Sequence, residues 1–427
     1  MNLIFLHPRE QLVAMLQRIY DFGMTTTSGG NLSIRDDQDN IWITPSAVDK
    51  GSLKPRDIIR LAPDGTSEGI HKPSSEYPFH KAIYEARPDL KAIVHAHPPA
   101  LVSFSIVRQT PDTAIIPQAK HVCGPVGYAP YELPGSEELG ESIAKSFAKG
   151  FNVVLLENHG TAVGGADISD AFQKFETLEF CARTQIEAAS IGNVKSLTDE
   201  QVDLFYHRKR DLPEFVHFNP SPDEAWMRGE LCSIVNRAYK QRLIISTYGT
   251  FSVRLTGGDF IITPYGKDRY YLEREDIVLI REGKKERGKV PSRSVKLHHR
   301  IYAEHPDINS IITAQSPFAT AYCVAGRSFD TRTIPESYIL LREIPLVPYG
   351  DQFMGGEGIS KLLSKDTPIL LLENDSIMVT GGSLLETFDR LEVAEFTARS
   401  LTQSARLGEL KPIMETEIND LKKKFLK

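Results

Sequence analysis

The sequence predicts an α/β protein built as two tandem copies of a three-layer α/β/α sandwich, each around a mixed, largely antiparallel central sheet. Three observations predict it. The chain has 427 residues, where a domain usually takes about 100–200. Short strands and hairpin signals alternate with amphipathic helical stretches rather than following a clean βαβ order. And the chain repeats itself once, at a period far longer than any solenoid repeat, so each copy is a domain.

The repeat is read from three matched stretches. IWITPSAVDKGSLKPRDIIRL, which contains Thr44-Pro45, matches FIITPYGKDRYYLEREDIVLI, which contains Thr263-Pro264. PSSEYPFHKAIYEARPDLKAIV from Pro73 matches PSRSVKLHHRIYAEHPDINSII from Pro291, and LLENHGTAVGG from Leu155 matches LLENDSIMVTGG from Leu371. Order is kept and spacing is nearly constant. Prolines gather at Leu212–Pro222 after a charged helix, which marks the join. The expected domains are residues 1–215 and 216–427.

In the first copy, apolar residues at helical spacing predict a helix over Glu10–Phe22. Asn31–Arg35 and Ile41–Thr44 alternate around Asp36–Asn40, a hairpin signal. Glu76–Ala86 reads as a helix with Ser74 or Ser75 as N-cap and Pro78 in the first turn. Ala92–Ala96 and Val153–Leu156 read as buried strands, and Ser136–Lys149 and Ile168–Ser190 as helices.

Composition narrows the function classes. The hydrophobic fraction of 41% and charged fraction of 25% are ordinary for a globular protein. A net charge of −6 gives no electrostatic footprint for nucleic acid or an anionic membrane. The basic stretches Arg281–Arg287 and Lys422–Lys424 carry or adjoin acids and read as solvated faces. No run of about 18 apolar residues suggests a membrane span, and Met1–His7 lacks the basic start and cleavage site of a secretory leader. Cys123, Cys181, Cys232 and Cys323 are widely spaced with no C-x-x-C pair, which points to free thiols in a reducing cytoplasm.

His95-Ala96-His97 ends an apolar strand. Residues two apart on a strand share a face, so the two imidazoles stand side by side. His159 follows the strand Val153–Leu156. If the two strands are neighbours, three imidazoles converge, and three histidines with one open position suit a catalytic zinc. A lone His-x-His is common without metal, so the surrounding polar segments matter. His80, His121 and His207 read by default as surface or core residues. Ser28-Gly29-Gly30-Asn31 is a glycine turn before a strand, Thr44-Pro45-Ser46 ends the next strand, and Ser74-Ser75 stands at a helix start. Together they can cradle an anion such as a phosphate monoester. Glu76 follows at once. Alone it would complement the helix dipole; beside a metal and a phosphate it is placed to act as a base.

Ser28–Asn31, Ile43-Thr-Pro-Ser46, Pro73-Ser-Ser-Glu76, His95-Ala-His97-Pro98 and Asn158-His159-Gly160 resemble the class II aldolase/adducin family, nearest its L-fuculose-1-phosphate aldolase branch. The resemblance covers nearly all of the first copy and the second more weakly. It implies that His95, His97 and His159 are zinc ligands, with one Zn2+ per chain. It implies that Glu76 removes or returns the proton and can touch the metal in the empty site, and that Ser28, Asn31, Ser46, Ala47, Ser74 and Ser75 hold the phosphate. The implied reaction is retro-aldol cleavage of a phosphorylated ketose to dihydroxyacetone phosphate and an aldehyde, with zinc stabilising the enediolate.

There are departures. The family's aldolases take an acid tyrosine from a neighbouring subunit, at a position that falls near Ile116-Pro117 here, where there is no tyrosine; Tyr206 or the second domain are other sources. Ala47 stands where glycine is common. In the second copy Thr313, Gln315 and Asp375 replace the three histidines, Ser294 replaces Glu76 and Thr250 replaces Asn31, so that copy reads as scaffold. The family's fourfold ring of subunits implies a cytoplasmic homodimer forming a pseudo-fourfold ring. The same scaffold resembles sugar-phosphate epimerases, dehydratases and decarboxylases, and non-catalytic adducin-like binding heads. Glu76 stands where the epimerases carry aspartate, and the intact histidines oppose a purely binding role.

Overall fold

The computed structural model describes residues 3–206 and 211–426; His207 lies outside them. The chain forms two compact units, residues 1–113 with 118–183, and residues 114–117 with 184–427. The division passes through the helix Ile168–Ile191, and residues 184–206 group with the second unit. Among the described residues no helix is long and apolar enough to cross a membrane. All four cysteines are buried and free.

The first unit carries eight strands: β1 Asn31–Arg35, β2 Ile41–Ile43, β3 Ile59–Leu61, β4 Ser67–Glu68, β5 Ala92–Ala96, β6 Val126–Ala129, β7 Val153–Leu156 and β8 Gly160–Gly165. They form one sheet in the order β4-β3-β2-β1-β5-β8-β7-β6. Every pairing is antiparallel except β6 with β7. The helices are α1 Pro8–Asp21, α2 Tyr77–Ala86, α3 Pro99–Ile106, α4 Pro117–Cys123, α5 Glu137–Ala148 and α6 Ile168–Ile191.

Strand alternation sorts the core between the two faces of the sheet. Ile41, Ile43, Ile59, Leu61, Ile93, Val154 and Ala162 pack under α2 and α5 with Phe79, Ile83, Leu139, Ile143 and Phe147. Leu32, Val94 and Val163 pair in register and are fully buried on the opposite face, where α1 and α3 meet the sheet. That is the three-layer arrangement. At roughly 25 cal/mol per Å2 of apolar surface removed from water, such a face dominates the stability of a domain.

Element positions agree with the sequence reading to within a residue or two, with two corrections that bear on the site. Strands β5 and β7 are not neighbours: β8 lies between them, pairing Ala96 with Thr161 and Leu156 with Gly160. His159 sits in the tight β7–β8 turn, behind Asn158 at φ 54°, rather than at the end of an adjacent strand. And α2 starts at Tyr77 with Glu76 in the N-cap position. Ser74 Oγ accepts the Glu76 N–H (3.2 Å), while the Glu76 carboxylate does not cap the helix and is turned elsewhere.

The second unit repeats the plan in nine strands: β9 Glu214–Phe215, β10 Thr250–Arg254, β11 Phe260–Ile262, β12 Val278–Arg281, β13 Lys284–Glu286, β14 Ser310–Ala314, β15 Leu346–Val347, β16 Ile369–Leu372 and β17 Ser376–Gly381. Their order is β15-β16-β17-β14-β10-β11-β12-β13-β9. Register is preserved along with topology. Asn31 pairs with His95 in the first sheet, and Thr250 pairs with Thr313 in the second.

Candidate metal and anion site

His95 is fully buried in the last turn of pleat of β5. Its Nδ1 donates to the Thr161 carbonyl of β8 (2.9 Å). That bond fixes the ring and leaves Nε2 for the site, as a carbonyl behind a ligand histidine does in metal centres. His95 Nε2 lies 3.1 Å from His97 Nε2. His159 joins them: the three histidines offer ligand atoms all within 4.8 Å of one another. Burial and the neighbouring imidazole of His95 push His97 down to about 3, and the same causes push His159 down to about 4, each against the pull of Glu76. Such environments favour neutral imidazoles, the form that ligates metal.

Glu76 reaches this cluster with both oxygens, Oε2 to His95 Nε2 (3.2 Å) and Oε1 to His159 Nε2 (3.3 Å). Burial alone would raise its pKa, but His95, His159 and the Asn31 amide together hold it well below the usual carboxylate range. Asn31 Nδ2 donates to Oε2 at 2.7 Å.

Behind Asn31 stands a chain that the sequence reading passed over. His80 Nε2 meets Asn31 Oδ1 (2.5 Å), Ser33 Oγ meets His80 Nδ1 (2.7 Å), and Tyr84 Oη meets Ser33 Oγ (2.8 Å). Since Asn31 Nδ2 faces the carboxylate, its Oδ1 must accept. His80 then donates from Nε2 and accepts at Nδ1 from Ser33, which accepts from Tyr84. Burial pushes His80 down to about 3, so the neutral tautomer persists. The signal was available: Glu76, His80 and Tyr84 share a helical face, Asn31 and Ser33 share a strand face, and the second copy repeats Ser252, His298 and Tyr302 with the same bonds. His121, by contrast, is exposed.

The expected anion-binding segments are drawn toward the histidines by close backbone approach. A Cβ on Gly29 would fall 2.9 Å from His97 Nδ1, and one on Gly30, at φ 73°, would fall 2.8 Å from the His95 carbonyl. Only glycine lets this turn lie so close. A bridge between Pro45 and Pro73, with Ser46 N–H on the Lys72 carbonyl and Ser74 N–H on the Thr44 carbonyl, sets Ser46 beside Ser74-Ser75. Ser28 and Ser75 are exposed, and Ser74 and Asn31 are buried. Asn31 has both ends of its amide engaged, with one N–H left over. Ala47 holds φ 55°. Its N–H is retained, as expected, but in a left-handed conformation that disfavours a side chain by roughly 1–2 kcal/mol.

In the second unit the corresponding positions carry no such cluster. Among the described residues His95, His97 and His159 are the group placed to hold a metal. Thr250 Oγ1 bonds Ser292 Oγ (2.6 Å), Thr313 Oγ1 lies 3.5 Å from His298 Nε2, and the buried Asp375 takes Ser376 Oγ (3.2 Å). Ile116, at the expected tyrosine position, is buried within Ala114–Pro117, which groups with the second unit. Tyr206 is more than half exposed.

A mixed α/β sandwich with a three-histidine cluster, a facing carboxylate and a glycine turn defines a class of metal-site fold, here present once intact and once altered. The chain belongs to the class II aldolase and adducin N-terminal domain family, whose profile matches residues 10–186 and again 229–402. It is 35% identical over 199 residues to a 5-deoxy-D-ribulose 1-phosphate aldolase of Bacillus thuringiensis serovar kurstaki, a match covering 46% of this chain and 92% of that protein. It is 33% identical over 198 residues to a 3-oxo-tetronate 4-phosphate decarboxylase of Haemophilus influenzae, covering 45% and 93%. With an L-fuculose phosphate aldolase of Methanocaldococcus jannaschii it shares 34% identity over 173 residues, covering 40% and 91%. Each of these relatives spans less than half of the chain, and the two family matches account for the rest as a tandem duplication.

Proposed function

We propose that the protein is a zinc-dependent class II aldolase whose first copy cleaves a phosphorylated ketose to dihydroxyacetone phosphate and an aldehyde. The observation that carries this reading is the pairing of one carboxylate, Glu76, with two of three clustered histidines. The donor set fits zinc: three histidines offer ligand atoms all within 4.8 Å of one another, one ring already fixed from behind by the Thr161 carbonyl. His95, His97 and His159 would hold the ion, which when bound supplies Lewis-acid polarisation of the ketose oxygens.

With an ion held by the histidines, their hold on Glu76 would be given up. Asn31, oriented by His80, then holds the carboxylate alone. Glu76 returns a proton to C3 of the ketose after the C3–C4 bond breaks, or removes it in the condensation direction. Ser28, Asn31, Ser46, Ala47, Ser74 and Ser75 bind the phosphoryl group through hydroxyls and main-chain N–H groups. We further propose domains at 1–215 and 216–427, with the second copy as scaffold, in a cytoplasmic homodimer forming a pseudo-fourfold ring.

A second reading is decarboxylation of a 3-oxo acid sugar phosphate. The absence of a tyrosine at Ile116-Pro117 favours it, because a departing CO2 needs no proton handling at an aldehyde oxygen, and a decarboxylase stands among the relatives. The test is to assay the zinc-loaded full chain with a panel of phosphorylated ketoses and of 3-oxo acid phosphates. Release of dihydroxyacetone phosphate supports the aldolase. Release of CO2 alone shifts the activity to decarboxylation, and turnover of neither class overturns both.

A further inference from the structure

Lys50 is a buried cation to which the reaction outlined above gives no task. It is 3% exposed. Its main-chain N–H donates to the Thr27 carbonyl (2.9 Å), and its ammonium donates to the Pro45 carbonyl (2.5 Å). It therefore ties together the two loops that carry Ser28 and Ser46. An ammonium has three N–H groups, and among the described residues no second acceptor meets this one. Glu76 is the anion within its electrostatic reach. A buried charge with unused donors is costly unless something in the working protein answers it.

The second copy offers an internal comparison. Arg269 stands at the same place, six residues after Thr263 as Lys50 is after Thr44. Its main-chain N–H donates to the Ser246 carbonyl (2.8 Å), the counterpart of Thr27. But Arg269 turns all three nitrogens of its guanidinium to the loops: Nε to the Gly249 carbonyl, and the two terminal nitrogens to those of Lys267 and Pro264. Where the histidines and Glu76 are gone, the cation holds three loop carbonyls, one from each nitrogen. Where they remain, it is a clamp with donors to spare.

We propose that Lys50 is the buried cation of the phosphoryl cradle, giving its unused N–H groups to the phosphoryl oxygens of the substrate while its remaining bonds hold the Thr27-Ser28 and Pro45-Ser46 loops together. This rests on the reading of those loops and of Ser74-Ser75 as an anion site. Burial pushes the ammonium down to about 8 against the pull of Glu76, and an arriving phosphoryl group would favour the charged form further.

The experiment measures binding of inorganic phosphate to the zinc-loaded full chain by calorimetry for wild type, Lys50→Met, Lys50→Arg and Ser75→Ala, with zinc content and thermal midpoint recorded for each. Lys50→Met removes the charge. Lys50→Arg keeps charge and clamp but, as at Arg269, turns each of its three nitrogens to a loop carbonyl. Both should bind phosphate roughly tenfold more weakly or worse, the scale of losing hydrogen bonds to a charged group, with Lys50→Arg keeping wild-type zinc and thermal midpoint. Wild-type phosphate affinity in Lys50→Met would make Lys50 a structural clamp and overturn the proposal. Weakened binding in Ser75→Ala with both Lys50 variants unaffected would overturn Lys50 and leave the cradle standing. No phosphate binding by the wild type would overturn the cradle, and Lys50 with it.

Discussion

At the scale of single residues, the site is a carboxylate held from two sides. The histidines hold Glu76 in front, and Tyr84, Ser33, His80 and Asn31 hold it from behind. Glu76→Gln keeps the shape and removes the base. It should retain zinc and lose roughly 10²–10⁴-fold in turnover; a rate equal to wild type would reduce Glu76 to a helix-start carboxylate. His80→Phe keeps a flat aromatic ring, slightly larger, but orphans Asn31 Oδ1 and the Ser33 hydroxyl. It should lower stability by about 1–3 kcal/mol in a denaturant titration and slow turnover while the zinc content holds. Ala47→Gly relieves the left-handed alanine and should raise stability by roughly 0.5–1 kcal/mol, read from the same titration. Its partner in the second copy is already glycine, Gly266 at φ 68°.

At the scale of elements, the ligand pair was legible and its third member was legible for the wrong reason. His95 and His97 sit two apart on an apolar strand, so the pleat alone puts them on one face. His159 was placed by supposing that β5 and β7 touch. They do not, because β8 turns back between them, and nothing local in Gly160-Thr-Ala-Val-Gly-Gly165 announces which strand it will pair with. His80 was missed because a histidine among apolar neighbours reads as core; its meaning lies in a partner 49 residues away. Gly160 shows what the β5–β8 contact demands. A Cβ there would lie 2.6 Å from the Ala96 carbonyl and 2.7 Å from His97 Cδ2. Gly160→Ala should therefore push β8 off β5, lowering the thermal midpoint and weakening zinc binding together. An unchanged zinc affinity would show that His97 is not held by this contact. The second copy has Ser376 at this position and Gln315 in place of the histidine, so the glycine goes with the imidazole.

At the scale of the whole molecule, the duplication was readable because matched stretches recur in order, and the paired registers Asn31–His95 and Thr250–Thr313 place the substitutions at equivalent points of two equivalent sheets. The second copy keeps a core, with Phe388, Leu391 and Ala394 buried on its long C-terminal helix Leu384–Ser404, while its site positions bond among themselves. A domain that keeps its core and loses its chemistry is expected to act through packing. Residues 1–215 alone should accordingly aggregate or self-associate and lose activity, and light scattering of the full chain should give a dimer. A monomeric, fully active fragment would make the second copy an independent module. The central claim, one working metal site in a chain of two copies, is tested most directly by elemental analysis of the purified full chain beside a folded His95→Ala/His97→Ala variant. The account predicts one zinc per chain in the first and none in the second; two transition-metal ions per chain, or zinc retained by the double variant, would contradict it.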